Sequence, residues 1–411
     1  MASLGSRFWK LWTASTLSNL ADGLYRVALP LIAVQYTRSP FLVSLVTMLA
    51  FLPWLVVSLP AGALTDRLDR RRILVSASVL RGIALGVFAA AMVIDVDSYW
   101  MLCVLALLLG VAEVFFEGTA QATLPMMVPD EQLNKANSRL FAARQVSETF
   151  VGQAGGGMLF AVAAVAAVFA PAALYGIAVV ALVLISGRFV PKRATQTRMR
   201  EDISEGVRYL VNHRLLRTLA LVSGGMNLAN IAFHSVFVLY AVGAGSAMGL
   251  PEYAFGWLLT ATAVGAVIGS LFTERAEKAL GRSKVLLLTI LAAVAAQAVP
   301  AVTANVALVA TSFVLHGAMM MVWNVVGVSM RQRIIPEELM GRVSASARIV
   351  SWGSMPLGAL LGGSLAEVIG LQGMFAVTAL ISLSLLLGLR VITEPEITAA
   401  ERATRERAIV D

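Results

Sequence analysis

Apolar runs of about twenty residues, separated by short polar breaks, recur along the whole chain. A helix that crosses a bilayer needs roughly 20 such residues. The pattern predicts spans at 8–36, 41–63, 73–94, 99–124, 138–162 and 167–189, then at 215–242, 253–273, 284–304, 306–330, 343–367 and 370–391. The polar breaks alternate in character. Those joining spans two to three, four to five, six to seven, eight to nine and ten to eleven carry Lys or Arg, as do both ends of the chain. The alternate breaks read DVDS, AAVFAPAA, AVGAGSAMGLPEY, TAN and GLQG, without a basic residue, and TRSP with Arg38 alone. Basic residues accumulate in cytoplasmic loops, so both termini are expected in the cytoplasm. The expected class is an all-α polytopic membrane protein with twelve transmembrane helices. The first run contains Asp22 and Arg26 and has no small-residue cleavage site, so it reads as a retained helix rather than a signal peptide.

The two halves repeat at an offset of about 207 residues. Asn19-Leu20-Ala21-Asp22 matches Asn227-Leu228-Ala229-Asn230, Pro129-Asp130-Glu131 matches Pro336-Glu337-Glu338, and the apolar-to-basic junction at Gly62 falls opposite Gly269. Six spans per repeat give both copies the same orientation. Parallel halves of this kind imply a substrate site between them near mid-membrane. The expected domains are an N-terminal six-helix bundle (1–189), a cytoplasmic linker (190–214), a C-terminal six-helix bundle (215–391) and a charged cytoplasmic tail (392–411). In the linker, Ile203, Val207, Leu210 and Val211 fall at helical spacing and predict an amphipathic helix on the cytoplasmic face.

Composition narrows the class further. The chain is 58% hydrophobic and only 14% charged, against roughly a quarter charged in soluble domains. An ordinary soluble enzyme is excluded. The net charge of +8 reflects basic loops rather than a nucleic-acid surface, so a lipid bilayer is expected as partner and nucleic acid is not. Cys103 is the only cysteine, which excludes an intramolecular disulfide and a multi-cysteine metal site. No metal and no cofactor are expected. GxxxxGK[ST] is absent, which excludes ATP-driven transport within this chain.

The stretch GALTDRLDRRRI, between the second and third spans, resembles the signature loop of the major facilitator superfamily. It supplies Gly62, Leu64, Asp66, Arg67, Arg70, Arg71 and Arg72, with Asp69 where the signature has glycine. NLADG followed by ALPL, the PDEQLNKAN segment and LTDRLDRRR resemble the twelve-span bacterial exporters of drugs and siderophores. The spaced glycines of GQAGGG (152–157) match the drug-antiporter signature of span five, but its proline is missing, and the bottom-up reading of these glycines is close helix packing. The resemblance implies a major facilitator fold of two parallel six-helix bundles in the bacterial inner membrane, as a monomer. It also implies that the loop latches the two halves at the cytoplasmic side, through Gly62, Asp66, Arg67, Arg70 and Arg71. Asp130, Glu131 and Glu148 are the expected acidic partners of its arginines, beside terminal helix carbonyls.

A charge at the centre of a membrane helix costs about 2.5–3.5 kcal/mol on insertion scales. Asp22 and Arg26 share one face of span one, Glu113 and Glu117 one face of span four, and Arg144 and Glu148 one face of span five. At the repeat positions the second half has Asn230, His234, Met320 and Asn324. Proton chemistry is therefore expected in the first half, on Asp22, Arg26, Glu113 and Glu117, with protons as the coupling ion. Arg144–Glu148 reads as structural. Burial and a neighbouring cation pull a carboxylate's proton affinity in opposite directions, so partner exchange between Asp22 and Arg26 offers a coupling device. Asn227, Asn230, Phe233, His234, His316, Met320, Trp323 and Asn324 are the candidates for substrate contact, and the Met-rich run suits adaptable apolar contacts. The function that follows is proton-coupled export of drugs or other amphiphilic small molecules. An uptake permease or uniporter for a small metabolite, and a siderophore or lipid exporter, remain as alternatives.

Overall fold

The computed structural model describes residues 4–65, 67–187, 189–190, 199–336 and 339–410. Asp66, Glu337, Glu338 and the linker stretch 191–198 lie outside the described residues. Among the described residues the regular elements are helices, with one isolated β-bridge between Val242 and Leu250. The helices are α1 (Gly5–Tyr36), α2 (Pro40–Val56), α3 (Ser58–Thr65), α4 (Arg70–Val93), α5 (Tyr99–Thr123), α6 (Asp130–Arg144), α7 (Gln153–Val162) and α8 (Ala164–Val183), followed by α9 (Met199–Asn212), α10 (Arg214–Ala241), α11 (Glu252–Leu280), α12 (Arg282–Val302), α13 (Val306–Ile334), α14 (Met340–Ser384) and α15 (Glu394–Val410). A π-helical segment, Gln145–Gly152, joins α6 to α7.

Helix starts coincide with the polar breaks because those breaks hold capping side chains. Ser39 accepts from Leu42 N ahead of Pro40, Ser98 accepts from Met101 N, and Asn305 accepts from Ala307 N and Leu308 N. Each cap satisfies amide donors that would otherwise face an apolar surrounding. Among the described residues, nine helices are long and apolar enough to cross a membrane. Four expected spans depart from simple helices. The second divides at Val57 into α2 and α3. The fifth is the composite α6, π segment and α7, and begins at Asp130 rather than 138. The last two form one run, α14, which turns at Gly370 with φ of 76°, a backbone state that favours glycine. Large apolar side chains such as Ile83, Val87, Val104, Leu271 and Leu380 are exposed, as a lipid-facing surface requires.

The described chain groups into two compact units, Met1–Ala194 with Val238–Thr260, and Thr195–Phe237 with Ala261–Asp411. In the first, Phe8, Leu11, Leu74, Phe116 and Leu182 belong to one core that joins α1, α4, α5 and α8. Gly157 of α7 and Gly256 of α11 meet backbone to backbone there, so GQAGGG does serve close helix packing. In the second, Leu216, Leu286, Val326 and Val343 share a core. Most of the expected charged tail forms a helix, α15, which docks against the second unit. Ile392 and Ile397 are fully buried, Arg282 Nη1 bonds Glu401 at 2.5 Å, and Thr404 Oγ1 donates to Ile334 O at 2.8 Å. The linker helix is also docked, through Gly206 and through one residue of the expected stripe, Leu210. Gly206 lies against Arg342 O of α14 and Leu210 is buried, while Val207 and Val211 are exposed. The side chain of Ile203 lies outside the described residues.

Between α11 and α13 the approach is closer still. A Cβ on Gly317 would sit 2.0 Å from Thr262 O, and one on Gly265 1.9 Å from Val314 O. Close approach through glycine is how membrane helices gain packing without a hydrophobic driving force. Gly317→Val is expected to lower stability by about 2 kcal/mol or more. Gly327→Ala, whose nearest neighbour is the Arg331 Nη1 at 3.8 Å, is expected to be tolerated. Thermal unfolding of the two purified variants checks the contrast.

Candidate functional site

The first unit holds a connected set of charges. Gly23 of α1 and Gly152 of the π segment touch so closely that a Cβ on Gly23 would lie 2.1 Å from Glu148 O. One turn along α1, that contact brings Arg26 to Glu148. Arg26 Nη1 bonds Glu148 Oε1, and its Nη2 bonds Glu113 Oε1 of α5 at 2.6 Å. Glu148 is shared. Its Oε2 accepts from Arg144 Nε at 2.7 Å, and Arg144 Nη1 bonds Glu117 Oε2 at 3.0 Å. Tyr25 donates to Glu113 Oε2 at 3.2 Å. The chain Glu113–Arg26–Glu148–Arg144–Glu117 thus ties α1, α5 and the α6–π region together. π segments inside helices frequently mark functional sites, and here one positions the shared carboxylate.

Asp22 belongs to a neighbouring set. Arg81 Nη1 lies 3.3 Å from Asp22 Oδ1, and the Tyr175 hydroxyl also donates to that oxygen. Arg81 is fully buried, with its guanidinium 5.3 Å from the ring centroids of both Phe116 and Tyr175. Two aromatic faces and a carboxylate therefore share the positive charge. The expected partnership between Asp22 and Arg26 is corrected by this geometry. Helical spacing put the two on one face, but each faces a different helix and takes its partner from there. Arg81, which lies inside the third expected span, is the buried partner of Asp22. Glu148, which reads from sequence as structural, is the hub between two arginines.

A cavity of about 310 Å³ in this unit is lined by Asn19, Phe116, Glu117, Gln121, Phe141 and Arg144. Glu117 and Arg144 therefore connect the charge network to open space.

In the basic loop, Asp69 is the N-cap of α4, accepting from Arg71 N at 3.1 Å, and it also accepts from Phe189 N at 3.2 Å. A carboxylate in place of the signature glycine thus fastens the start of one helix to the chain that follows α8. Arg70 Nη1 donates to Ala122 O, and Arg71 donates to Leu182 O at 3.3 Å and to Val183 O. These carbonyls end α5 and α8, where acceptors lack intrahelical partners. Arg67 and Gly62 are exposed, and Asp66 lies outside the described residues. The expectation of terminal carbonyls as partners matches these bonds. The expectation of Glu148 does not, because Arg26 and Arg144 occupy it.

The second unit holds a cavity of about 500 Å³, lined by Asn227, Asn230, His316, Met320, Trp323 and Asn324 among others. Asn227 Nδ2 donates to Ser351 O at 2.8 Å, and Asn230 Nδ2 lies 3.1 Å from His316 Nε2. The structure places Phe233 and His234 elsewhere. Phe233 packs against Phe237, Phe313 and Phe375 at centroid distances of 4.7–6.0 Å, with His234 edge-on at 5.1 Å. Both belong to an aromatic core rather than to the cavity lining. Arg331, Arg348 and Trp352 line the cavity and were not expected. Arg331 follows the expected span 306–330, and Arg348 lies within the expected span 343–367, where the sequence reading did not single it out. Among the described residues no group of three or more His, Cys, Asp or Glu is placed to hold a metal ion.

The sequence pattern described as transmembrane secretion effector, a major facilitator family, matches residues 4–408. The chain belongs to that family. It is 27% identical over 408 residues to the multidrug efflux pump Tap of Mycolicibacterium fortuitum, covering 95% of this chain and 96% of that one. It is 25% identical over 224 residues to macrolide efflux protein A of Streptococcus pyogenes, covering 53% and 54%. In fold it is similar to the nucleoside transporter NupG (TM-score 0.70, 13% identity, 95% of this chain and 100% of that one). It is also similar to a bacterial homologue of the iron transporter ferroportin (TM-score 0.69, 18% identity, 97% and 100%). This family member is thus a multi-pass secondary transporter of the major facilitator superfamily, similar to efflux proteins, and not an enzyme.

Its charge network gives a direct expectation for the transporter. Removing one partner of a buried ion pair leaves the other uncompensated, at a cost of several kcal/mol. The Arg26 side chain is 34% exposed, so solvent screening reduces that cost. Arg26→Gln is expected to destabilise by roughly 2 kcal/mol. Adding Glu113→Gln and Glu148→Gln should restore most of the loss. A thermal-unfolding mutant cycle measures this, and strictly additive losses would exclude the pairing.

Proposed function

We propose that this transporter is a proton-coupled exporter of amphiphilic small molecules, working by alternating access through twelve spans arranged as two six-helix bundles. The carrying observation is a charge balance. The first unit's network contains Asp22, Glu113, Glu117 and Glu148, four carboxylates, against Arg26, Arg81 and Arg144, three guanidinium groups. A fully ionised set carries one uncompensated negative charge. In a low-dielectric surrounding such a charge is costly, and one bound proton removes it.

Glu117 is the carboxylate that takes this proton. Its ion-pair partner is Arg144, which it shares with Glu148, and it lines the cavity through which a proton arrives or leaves. Arg26, held between Glu113 and Glu148, is the element that shifts with the proton. When Glu117 is protonated, Arg144 turns wholly to Glu148, and Glu148 loosens its hold on Arg26. Asp22, fixed by Arg81 and Tyr175, anchors α1 to α4 and α8 while this exchange takes place. A proton moving inward gains about 2.3 kcal/mol per 100 mV of membrane potential, which is available to drive a substrate outward.

The efflux names of relatives aligned along nearly the whole chain support the outward direction, and the basic, alternating loops support cytoplasmic termini in a bacterial inner membrane. The loop of Arg70 and Arg71 ties α4 to the ends of α5 and α8, so α4, α5 and α8 would move as one body during the transport cycle.

In proteoliposomes with an imposed pH gradient, Glu117→Gln is expected to lower gradient-driven transport of a panel of amphiphilic fluorophores more than tenfold. Exchange of the same fluorophores without a gradient should persist. Full gradient-driven transport by the variant would contradict the assignment.

A further inference from the structure

The cavity of the second unit contains more positive charge than the orientation of a membrane protein requires. Arg331, in the last turn of α13, and Arg348, in the third turn of α14, both line it. Neither guanidinium meets a carboxylate among the described residues, and the lining contains no Asp or Glu. Arg331 also complements the C-terminal dipole of its helix. Arg348 lies away from any helix end, so the dipole does not explain it. A third donor lies elsewhere in the wall, fifteen residues along α13 from Arg331 and so roughly 22 Å away. His316 is 5% exposed, and its Nδ1 has no hydrogen-bond partner. As its neighbour is placed, Asn230 Nδ2 donates to His316 Nε2, so the neutral ring carries its proton on Nδ1. A buried N–H without an acceptor costs about 1–3 kcal/mol, and a ligand oxygen would relieve it.

The rest of the wall is suited to an apolar body. Met226, Met320, Trp323 and Trp352 line the same space as the three donors. Methionine adapts to varied shapes, and the indole rings offer large flat faces. Donors without acceptors select for an acceptor-rich, negatively charged group, because arginine forms charge-assisted, often two-pronged bonds with carboxylate, sulfate and phosphate.

We infer that this cavity binds amphiphiles carrying an anionic head group, a carboxylate, sulfate or phosphate, held by Arg331 and Arg348 near one end, with the apolar body running along the Met and Trp wall toward His316. This rests on the proposed export of amphiphiles and narrows their class. It sets this cavity apart from a site for cationic drugs, which would need a carboxylate in the wall.

Binding without any gradient tests the inference independently of coupling. Full-length protein in phosphatidylcholine nanodiscs is titrated with 11-(dansylamino)undecanoate and with the same chain ending in an ammonium group. The saturable energy transfer from tryptophan to dansyl is read. The carboxylate is expected to bind at least tenfold more tightly. Arg331→Gln with Arg348→Gln should erase that preference, and the matching Lys pair should keep it. Glu117→Gln should leave it unchanged, so a failure of proton coupling and a failure of this inference give different results. Equal or tighter binding of the ammonium probe would overturn the inference, as would a preference that survives the double Gln substitution. The titration is repeated with phosphatidylglycerol in the disc. Competition there would identify the occupant as an anionic lipid, and its absence a free amphiphile, both within the proposed class.

Discussion

Arg26 sits between two carboxylates that come from different helices, Glu113 of α5 and Glu148 of the π segment. An arginine in the interior of a membrane protein must be compensated, and this one is compensated only while α1, α5 and the π segment keep their places. Gly23 and Gly152 give up side chains so that the backbones approach closely enough for the bridge to form. The π geometry then turns Glu148 to serve Arg26 and Arg144 together. Packing and electrostatics are therefore one constraint. In the proposed cycle, a change of protonation at one end of the chain of charges would be felt as a change of packing at the other.

The second unit meets the membrane's demands differently. At the repeat positions of Asp22, Glu113 and Glu117 it has Asn230, Met320 and Asn324, and its interior is aromatic and amide-bonded. Phe233, Phe237, Phe313 and Phe375 form a rigid core. Asn227 and Asn230 find neutral partners in Ser351 O and His316. Nothing in this core changes charge state easily, and that suits a surface whose task is to hold a ligand. The proposed division of labour between proton handling and ligand holding rests on which half of the repeat carries the carboxylates.

Much of this was readable in the sequence, for physical reasons. Apolar runs have the length a bilayer imposes, and the charges that break them are rare enough to mark the network. Asp22, Arg26, Glu113 and Glu117 all occupy it. Their pairing was not readable, because helical spacing shows which residues share a face but not which helix that face meets. Arg81 lies inside the third span, but nothing in the sequence tied it to Asp22, Tyr175 and Phe116. Phe233 and His234 follow Asn230 along one helix, yet point into an aromatic core. Helix α15 was missed because two buried residues, Ile392 and Ile397, are too few to stand out in a charged segment. Of the arginines in the second cavity, Arg331 sits at the end of an expected span and Arg348 inside one, and neither has a partner in the repeat that would mark it.

The charge balance is the point on which the coupling proposal turns, and it is open to direct observation. Infrared difference spectroscopy of the purified protein at neutral pH, wild type against Glu117→Gln, reads the C=O stretch of a protonated carboxyl group. The expected result is a band in the wild type that disappears in Glu117→Gln and survives in Glu148→Gln. A wild-type spectrum without a protonated carboxyl, or a band that Glu117→Gln leaves in place, would contradict the assignment of the proton to this network.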